Sequence, residues 1–265
     1  MLSGRSRTII DLATTIVIIA TCGVLVWANR TRIWPPPPPT PPVPEAPISI
    51  NGAPTMGDPA APVVIVMYTD YQCQYCESFE RDTLPVLVRE YVETGKARLV
   101  VRHHPLEDIH PLAFDAAVAA TCAARQGKFW EMHERLFGRQ REVGPAVIEE
   151  IASGVRLDTS AFTACTASED AAAQVRGDIE SSVAAGLMGT PAFLIGVAQP
   201  GGSVKVTAVV NGARPAAEFA KTIDALLSGT PGTGQWAAPS VIALAAIAGS
   251  VVWLGRRRLK GRTST

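Results

Sequence analysis

Val63-Val64-Ile65-Val66-Met67-Tyr68-Thr69-Asp70-Tyr71-Gln72-Cys73-Gln74-Tyr75-Cys76 is an apolar, β-branched run that turns polar and ends on two cysteines separated by two residues. The run reads as a buried strand. The polar turn behind it delivers both cysteines onto the first turn of a helix beginning near Cys73. A two-residue spacer lets the sulfurs close a small disulfide, and the orphan N–H groups of a helix N-terminus stabilise a thiolate on the first cysteine. Cys73 is therefore the expected nucleophile and Cys76 the resolving thiol.

Downstream, residues 77–93 place apolar side chains at helical spacing, with a bend near Pro85. Thr94-Gly95-Lys96 ends that helix, and residues 97–101 form the next strand. Strand, helix and strand make a right-handed parallel βαβ unit. Short helices follow over residues 113–126, 128–137, 145–152, 159–167 and 170–185, with Gly127, Gly144, Gly154 and Gly186 at or between their ends. Strand-forming sequence returns at 189–196 and 204–210, with 198–203 as a turn or flexible loop and Asn211-Gly212 as a turn. An amphipathic helix over 215–227 closes the pattern. The expectation is an α/β domain over 48–229 with a helical subdomain inserted at about 105–186.

The two ends differ from this domain. Residues 9–27 are an apolar span whose only charge is Asp11, long enough at about 1.5 Å per residue to cross a bilayer. With Arg5 and Arg7 in front, residues 1–29 read as a signal anchor, and cleavage after Ala28 is the competing reading. Cys22 reads as a lipid-facing or packed small residue. Residues 30–47 are a proline-rich spacer of extended polyproline type. A linker at 230–235 leads into a second apolar span, 236–254, and a basic tail, 255–265, with Arg256, Arg257, Arg258, Lys260 and Arg262. By the positive-inside rule the tail stays cytoplasmic and the domain lies outside. Thr230-Pro231-Gly232-Thr233-Gly234 is also similar to a Leu-Pro-x-Thr-Gly sorting signal, with threonine in the place of leucine.

The 265 residues, 47% of them apolar, suffice for one ordinary domain with appendages. The 24 basic residues are balanced by 24 acidic ones, which argues against nucleic acid as a partner. Of the five cysteines, Cys73, Cys76, Cys122 and Cys165 would make two disulfides in an oxidising compartment, leaving Cys22 over. A zinc site from those four fits poorly, because tetrahedral sites draw on a second close pair. No phosphate-cradling glycine motif or acidic cluster stands out, so neither metal nor dissociable cofactor is expected. His103, His104 and His110 read as solvated or capping histidines, and His133 as a packed surface histidine.

Four segments carry a family resemblance: Tyr68-Thr69-Asp70-Tyr71-Gln72-Cys73-Gln74-Tyr75-Cys76-Glu77-Ser78-Phe79-Glu80, Tyr91-Val92-Glu93-Thr94-Gly95-Lys96, Ala124-Arg125-Gln126-Gly127-Lys128-Phe129-Trp130-Glu131-Met132-His133, and Gly189-Thr190-Pro191-Ala192-Phe193. In this order and spacing, over most of residues 60–228, the chain resembles a DsbA-like thiol:disulfide oxidoreductase of the thioredoxin superfamily. The resemblance implies a thioredoxin-like α/β fold with an inserted helical subdomain, here flanked by membrane segments. It implies that Pro191 is a cis-proline against the cysteines, with Thr190 before it offering backbone to an extended substrate. It makes Glu80 an acid that helps proton handling near the buried thiol, against the plain alternative of a solvated helix glutamate. It also implies a structural disulfide Cys122–Cys165, against the alternative of two buried free cysteines.

Where the family commonly has proline after the first cysteine, Gln74 stands, which leaves the direction of transfer open. The implied activity is that of an extracytoplasmic oxidase giving its Cys73–Cys76 disulfide to unfolded, cysteine-containing exported proteins. A quinone-linked membrane oxidase would reoxidise it. The alternatives are a reductase or isomerase fed by a membrane electron donor, or a chaperone-like binder in which redox activity is incidental. The domain is expected in the periplasm or on the outer face of the cytoplasmic membrane.

Overall fold

The strand β3 (Val63–Thr69) is buried at every position, with β4 (Ala97–His103) parallel on one side and β5 (Ala192–Gln199) antiparallel on the other. A strand covered on both faces has no solvent side, so its sequence is continuously apolar rather than alternating. In this computed structural model, which describes residues 4–29, 32 and 42–229 and the side chains of the first helix from Thr15 onward, β6 (Ser203–Asn211) pairs with β5. Two-residue strands, β1 (Ile48–Ser49) and β2 (Thr55–Met56), complete a six-stranded sheet of order β1-β6-β5-β3-β4-β2. Neither short strand is announced by periodicity.

The expected loop at 198–203 is shorter than the sequence suggests. Ala198 pairs with Val204 and Gln199 with Ser203, so β5 continues until Pro200-Gly201-Gly202. The hairpin's register shifts at Gly196. A Cβ there would lie 2.1 Å from the Lys205 carbonyl oxygen, so the two backbones approach closely only because that residue is glycine.

The long helix expected after the cysteines is broken in three. It runs as α2 (Gln74–Asp82), α3 (Leu84–Leu87) and a π-helical turn over Val88–Val92, with Pro85 in the first turn of α3. Proline has no N–H to continue α2 but fits the start of α3. Phe79 of α2 packs tilted against Phe193 of β5 at 4.5 Å between ring centres, and Phe193 meets Phe219 of the chain's last described helix, α9 (Ala216–Leu227), edge to face at 4.8 Å. On the other sheet face Val64, Val66 and Tyr68 pack with Ile50, Ala185 and Leu187.

Between β4 and β5 lies the helical insertion: α4 (Ala113–Arg125), α5 (Phe129–Gly138), a 3-10 turn Gln140–Glu142, α6 (Pro145–Gly154), α7 (Thr159–Thr166) and α8 (Glu169–Ala184). Its centre is α4, where Ala116, Ala117, Ala119, Ala120 and Ala123 are buried; small side chains let neighbouring helices come close. A disulfide joins Cys122 of α4 to Cys165 of α7. The insertion's final helix, α8, is stitched to the sheet: Asp178 accepts from Arg102 Nη1 at 2.5 Å and from the His103 N–H at 3.0 Å. Tyr68 Oη meets Ser181 Oγ at 2.8 Å.

The described residues before Pro42 form a unit of their own around α1 (Gly4–Ala28), on which Ile16, Ile18, Leu25 and Trp27 are exposed. Among the described residues no helix is long and apolar enough to cross a membrane. The span expected at 9–27 falls on α1, and its residues 9–14 are described as backbone only. The linker 230–235, the span 236–254, the tail 255–265 and most of the spacer between 30 and 41 lie outside the described residues.

Candidate active site

Because β3 and β4 run parallel, their C-terminal ends emerge together, with Thr69 opposite His103. The turn after β3 is built on Asp70, whose side chain is buried. One carboxylate oxygen accepts the Gln72 N–H at 2.7 Å, and the other accepts the Leu106 N–H and meets His110 Nδ1, each at 2.8 Å. Gln72 Oε1 accepts the Leu112 N–H at 2.7 Å. The cysteine turn is thus tied to the entry of the insertion by backbone groups that sequence spacing does not reveal.

Cys73 sits at the N-cap of α2 with extended backbone. Its carbonyl accepts from Cys76 N at 3.0 Å and, from across the site, from Gln140 Nε2 at 3.0 Å. Opposite lies the Thr190–Pro191 bond, which is cis, and the Cys73 thiol donates to the Thr190 carbonyl at 3.3 Å. Cys73 and Cys76 are both free thiols here.

The two thiols differ in their electrostatics. A hydrogen bond from Cys76 leads the forces that bring Cys73 from 9.0 down to about 6, opposed by burial and aided by the Thr190 side chain and the N–H groups of Cys76 and Tyr75. Cys76 moves the other way, well above its ordinary value, first through burial and then through Cys73 itself. One sulfur is thereby held as a thiolate near neutral pH and its partner as a thiol. Tyr75, between the two cysteines, is 60% exposed, and Met188, two residues before Thr190 in sequence, is 92% exposed. A recess of about 330 Å³ beside the cysteines is lined by Gln72, Gln74, Glu77, His110, Gln140 and Arg141.

The histidines depart from the sequence expectation. His133 is not at the surface: it is 2% exposed, with Nδ1 2.8 Å from Tyr71 Oη and Nε2 3.1 Å from Glu80 Oε1. Phe129, Trp130 and Phe137 pack around its ring. Glu80 is accordingly no solvated helix glutamate, its side chain being 14% exposed. His103 and His104 are buried too, because β4 extends past residue 101 and carries His103 between β3 and the insertion. Burial, then the nearby His133 and Arg102, lowers His103 from 6.5 to about 3. Burial lowers His104 as well, against the opposing charge of Asp70. His110 is the partly exposed partner of Asp70.

Sequence reasoning missed Asp70, Tyr71, His133 and Gln140 as members of the site. For His133 a signal existed: it lies four residues from both Phe129 and Phe137, on the buried face of α5. For Gln140 there was none. Among the described residues no group of three or more His, Cys, Asp or Glu is arranged to hold a metal ion. What the site can do is dithiol chemistry, with one reactive sulfur and a second within disulfide reach behind it.

The family model described as thioredoxin matches residues 50–224. Curated relatives include a Na(+)/H(+) antiporter NhaA 3 of Salinispora tropica, 37% identical over 139 residues, 52% of this chain and 21% of that protein. The chain thus spans about a fifth of the first antiporter relative's length. Disulfide bond formation protein D of Bacillus subtilis is 25% identical over 157 residues, 56% of this chain and 69% of that one. Among solved structures, Wolbachia pipientis alpha-DsbA1 superposes with a TM-score of 0.61 at 21% identity, covering 69% of this chain and 94% of its own. Oxidised BdbD from Bacillus subtilis gives 0.61 at 22%, covering 70% and 98%. These structural likenesses are likenesses of fold.

Proposed function

Since the chain belongs to the thioredoxin family, we propose that it is a protein thiol:disulfide oxidoreductase whose Cys73–Cys76 pair donates a disulfide to exported polypeptides. The observation that carries this reading is the split between the two thiols, Cys73 near about 6 and Cys76 well raised. A stabilised thiolate favours the reduced form of the pair, which makes its disulfide ready to be given away. A substrate thiolate attacks Cys73, a mixed disulfide forms there, and the substrate's second thiol releases the product and leaves the enzyme reduced. The cis bond before Pro191 and the exposed Tyr75 and Met188 suit an extended chain laid across the sulfur. Glu80, one helical turn beyond Cys76, is assigned to proton handling.

The setting we infer is the outer face of the cytoplasmic membrane, with residues 1–29 and 236–254 as anchors around the domain 48–229 and a quinone-linked oxidase as the reoxidising partner. The Cys122–Cys165 disulfide supports an oxidising compartment, as does the name of the Bacillus relative. Equilibrating the full chain with glutathione buffers tests the direction: a potential near about −120 to −180 mV marks a donor, and one near about −270 mV a reductase fed by a membrane electron donor. If Cys73→Ser retains the function, the protein is a binder of unfolded chains and not an oxidoreductase.

A further inference from the structure

Reduction of the Cys73–Cys76 disulfide leaves Cys76 with a proton to acquire, and Cys76 is only 1% exposed. Near it three side chains from three parts of the fold meet. Tyr71, in the turn after β3, is fully buried and touches His133 Nδ1 at 2.8 Å; His133, from α5, faces Glu80 Oε1 at 3.1 Å; Glu80 lies one turn beyond Cys76 on α2. The other titratable group against this cluster is His103 at the end of β4, whose ring is 5.8 Å from that of Tyr71. Rings close the remaining sides: Phe129, Trp130 and Phe137.

We propose that His133 is a positioning residue of the dithiol reaction: held between the Tyr71 hydroxyl and the Glu80 carboxylate, it stores and returns, through Glu80, the proton that Cys76 exchanges. This rests on the oxidoreductase reading above and adds the imidazole to it. A hydroxyl both donates and accepts, so Tyr71 can donate to a neutral imidazole at Nδ1 or accept from an imidazolium there. The contact therefore survives either protonation state. Nε2 meanwhile stays against the Glu80 carboxylate.

A substrate thiolate forms a bond to Cys73 Sγ, the Cys73–Cys76 bond breaks, and Cys76 leaves with the electron pair. One proton passes from the His133–Glu80 pair to that sulfur, so the negative charge moves from sulfur to the pair. Reoxidation reverses the transfer. His103 takes no part, since it remains neutral through this range.

The test is the rate at which dithiothreitol reduces the disulfide of the full chain, from pH 5 to pH 8, in the wild type, His133→Asn and Tyr71→Phe. The expected result is a pH limb in the wild type beyond that of the attacking thiol. His133→Asn abolishes it and slows the reaction about 100-fold, the lower end of what a positioned proton donor contributes. Tyr71→Phe shifts the limb without removing it. The Cys73 thiolate titration, followed by absorbance, stays in place in both variants. A folded His133→Asn with the wild-type profile overturns the inference. Should that variant not fold, the imidazole ¹⁵N shifts of His133 in the wild type decide: they change with the redox state of Cys73 and Cys76 if the proton moves, and their indifference overturns it. A wild type that exchanges no disulfide at all refutes the oxidoreductase reading instead.

Discussion

At the scale of single residues, the reactivity of Cys73 is set first by the Cys76 thiol, with the Thr190 side chain and the N–H groups of Cys76 and Tyr75 adding to it. The Thr190 hydroxyl is buried with no hydrogen-bond partner among the described residues, and the Thr190 side chain helps to lower Cys73. Thr190→Val is therefore expected to raise the Cys73 titration midpoint from about 6 towards the ordinary thiol value. The rate of iodoacetamide alkylation at pH 6 should fall several-fold as the thiolate fraction drops. An unchanged midpoint would mean that Cys76 and the backbone do the work alone. Gln140 acts on the same residue from a distance, through the Cys73 carbonyl. Removing its amide in Gln140→Ala leaves the thiols intact and costs about 1 kcal/mol of stability, measurable by urea titration. The Cys-x-x-Cys spacing was legible as a short local pattern, whereas Thr190-Pro191 and Glu80 were singled out only by the family resemblance. Gln140 carried neither signal.

At the scale of elements, the sheet and the insertion depend on two different devices. The β5–β6 hairpin depends on Gly196, where Gly196→Ala would drive a methyl into the Lys205 carbonyl. We expect a loss of roughly 1–3 kcal/mol, read as a lower urea midpoint with activity retained in the folded fraction. The insertion depends on Cys122–Cys165, which closes a sequence separation of 43 residues between α4 and α7. In the loop-entropy model that link stabilises by about 4 kcal/mol. The Cys122→Ala, Cys165→Ala pair should lower the thermal midpoint markedly while the Cys73 thiolate titration stays put. A shifted titration would show that the insertion sets the sulfur's electrostatics. Helix and strand order was legible from periodicity and glycine breaks. The split of the helix after Asp82 and the two-residue edge strands were not, since both arise where tertiary partners claim the backbone.

For the whole molecule, the histidines at the junction of sheet and insertion make stability depend on pH. His103 titrates at about 3 when folded and near 6.5 when exposed. Between those values the unfolded chain binds a proton that the folded one does not. Stability is thus full above about pH 6.5 and is lost progressively as the pH falls towards about 3, by a few kcal/mol in all. Urea midpoints measured from pH 4 to pH 7 should rise with pH, and His103→Phe should flatten that rise. An equal slope in the variant would place the dependence on other groups. By itself the sequence determined the strand that ends in Cys-x-x-Cys, the α/β order, the helical insertion and the kind of chemistry, because these follow from hydrophobic period and from residues adjacent along the chain. Only the tertiary structure decided which distant side chains surround the sulfurs. Asp70 with His110, Gln140 at the Cys73 carbonyl, and His133 between Tyr71 and Glu80 meet because the insertion folds back over the ends of parallel strands, and such an encounter leaves no period in the sequence.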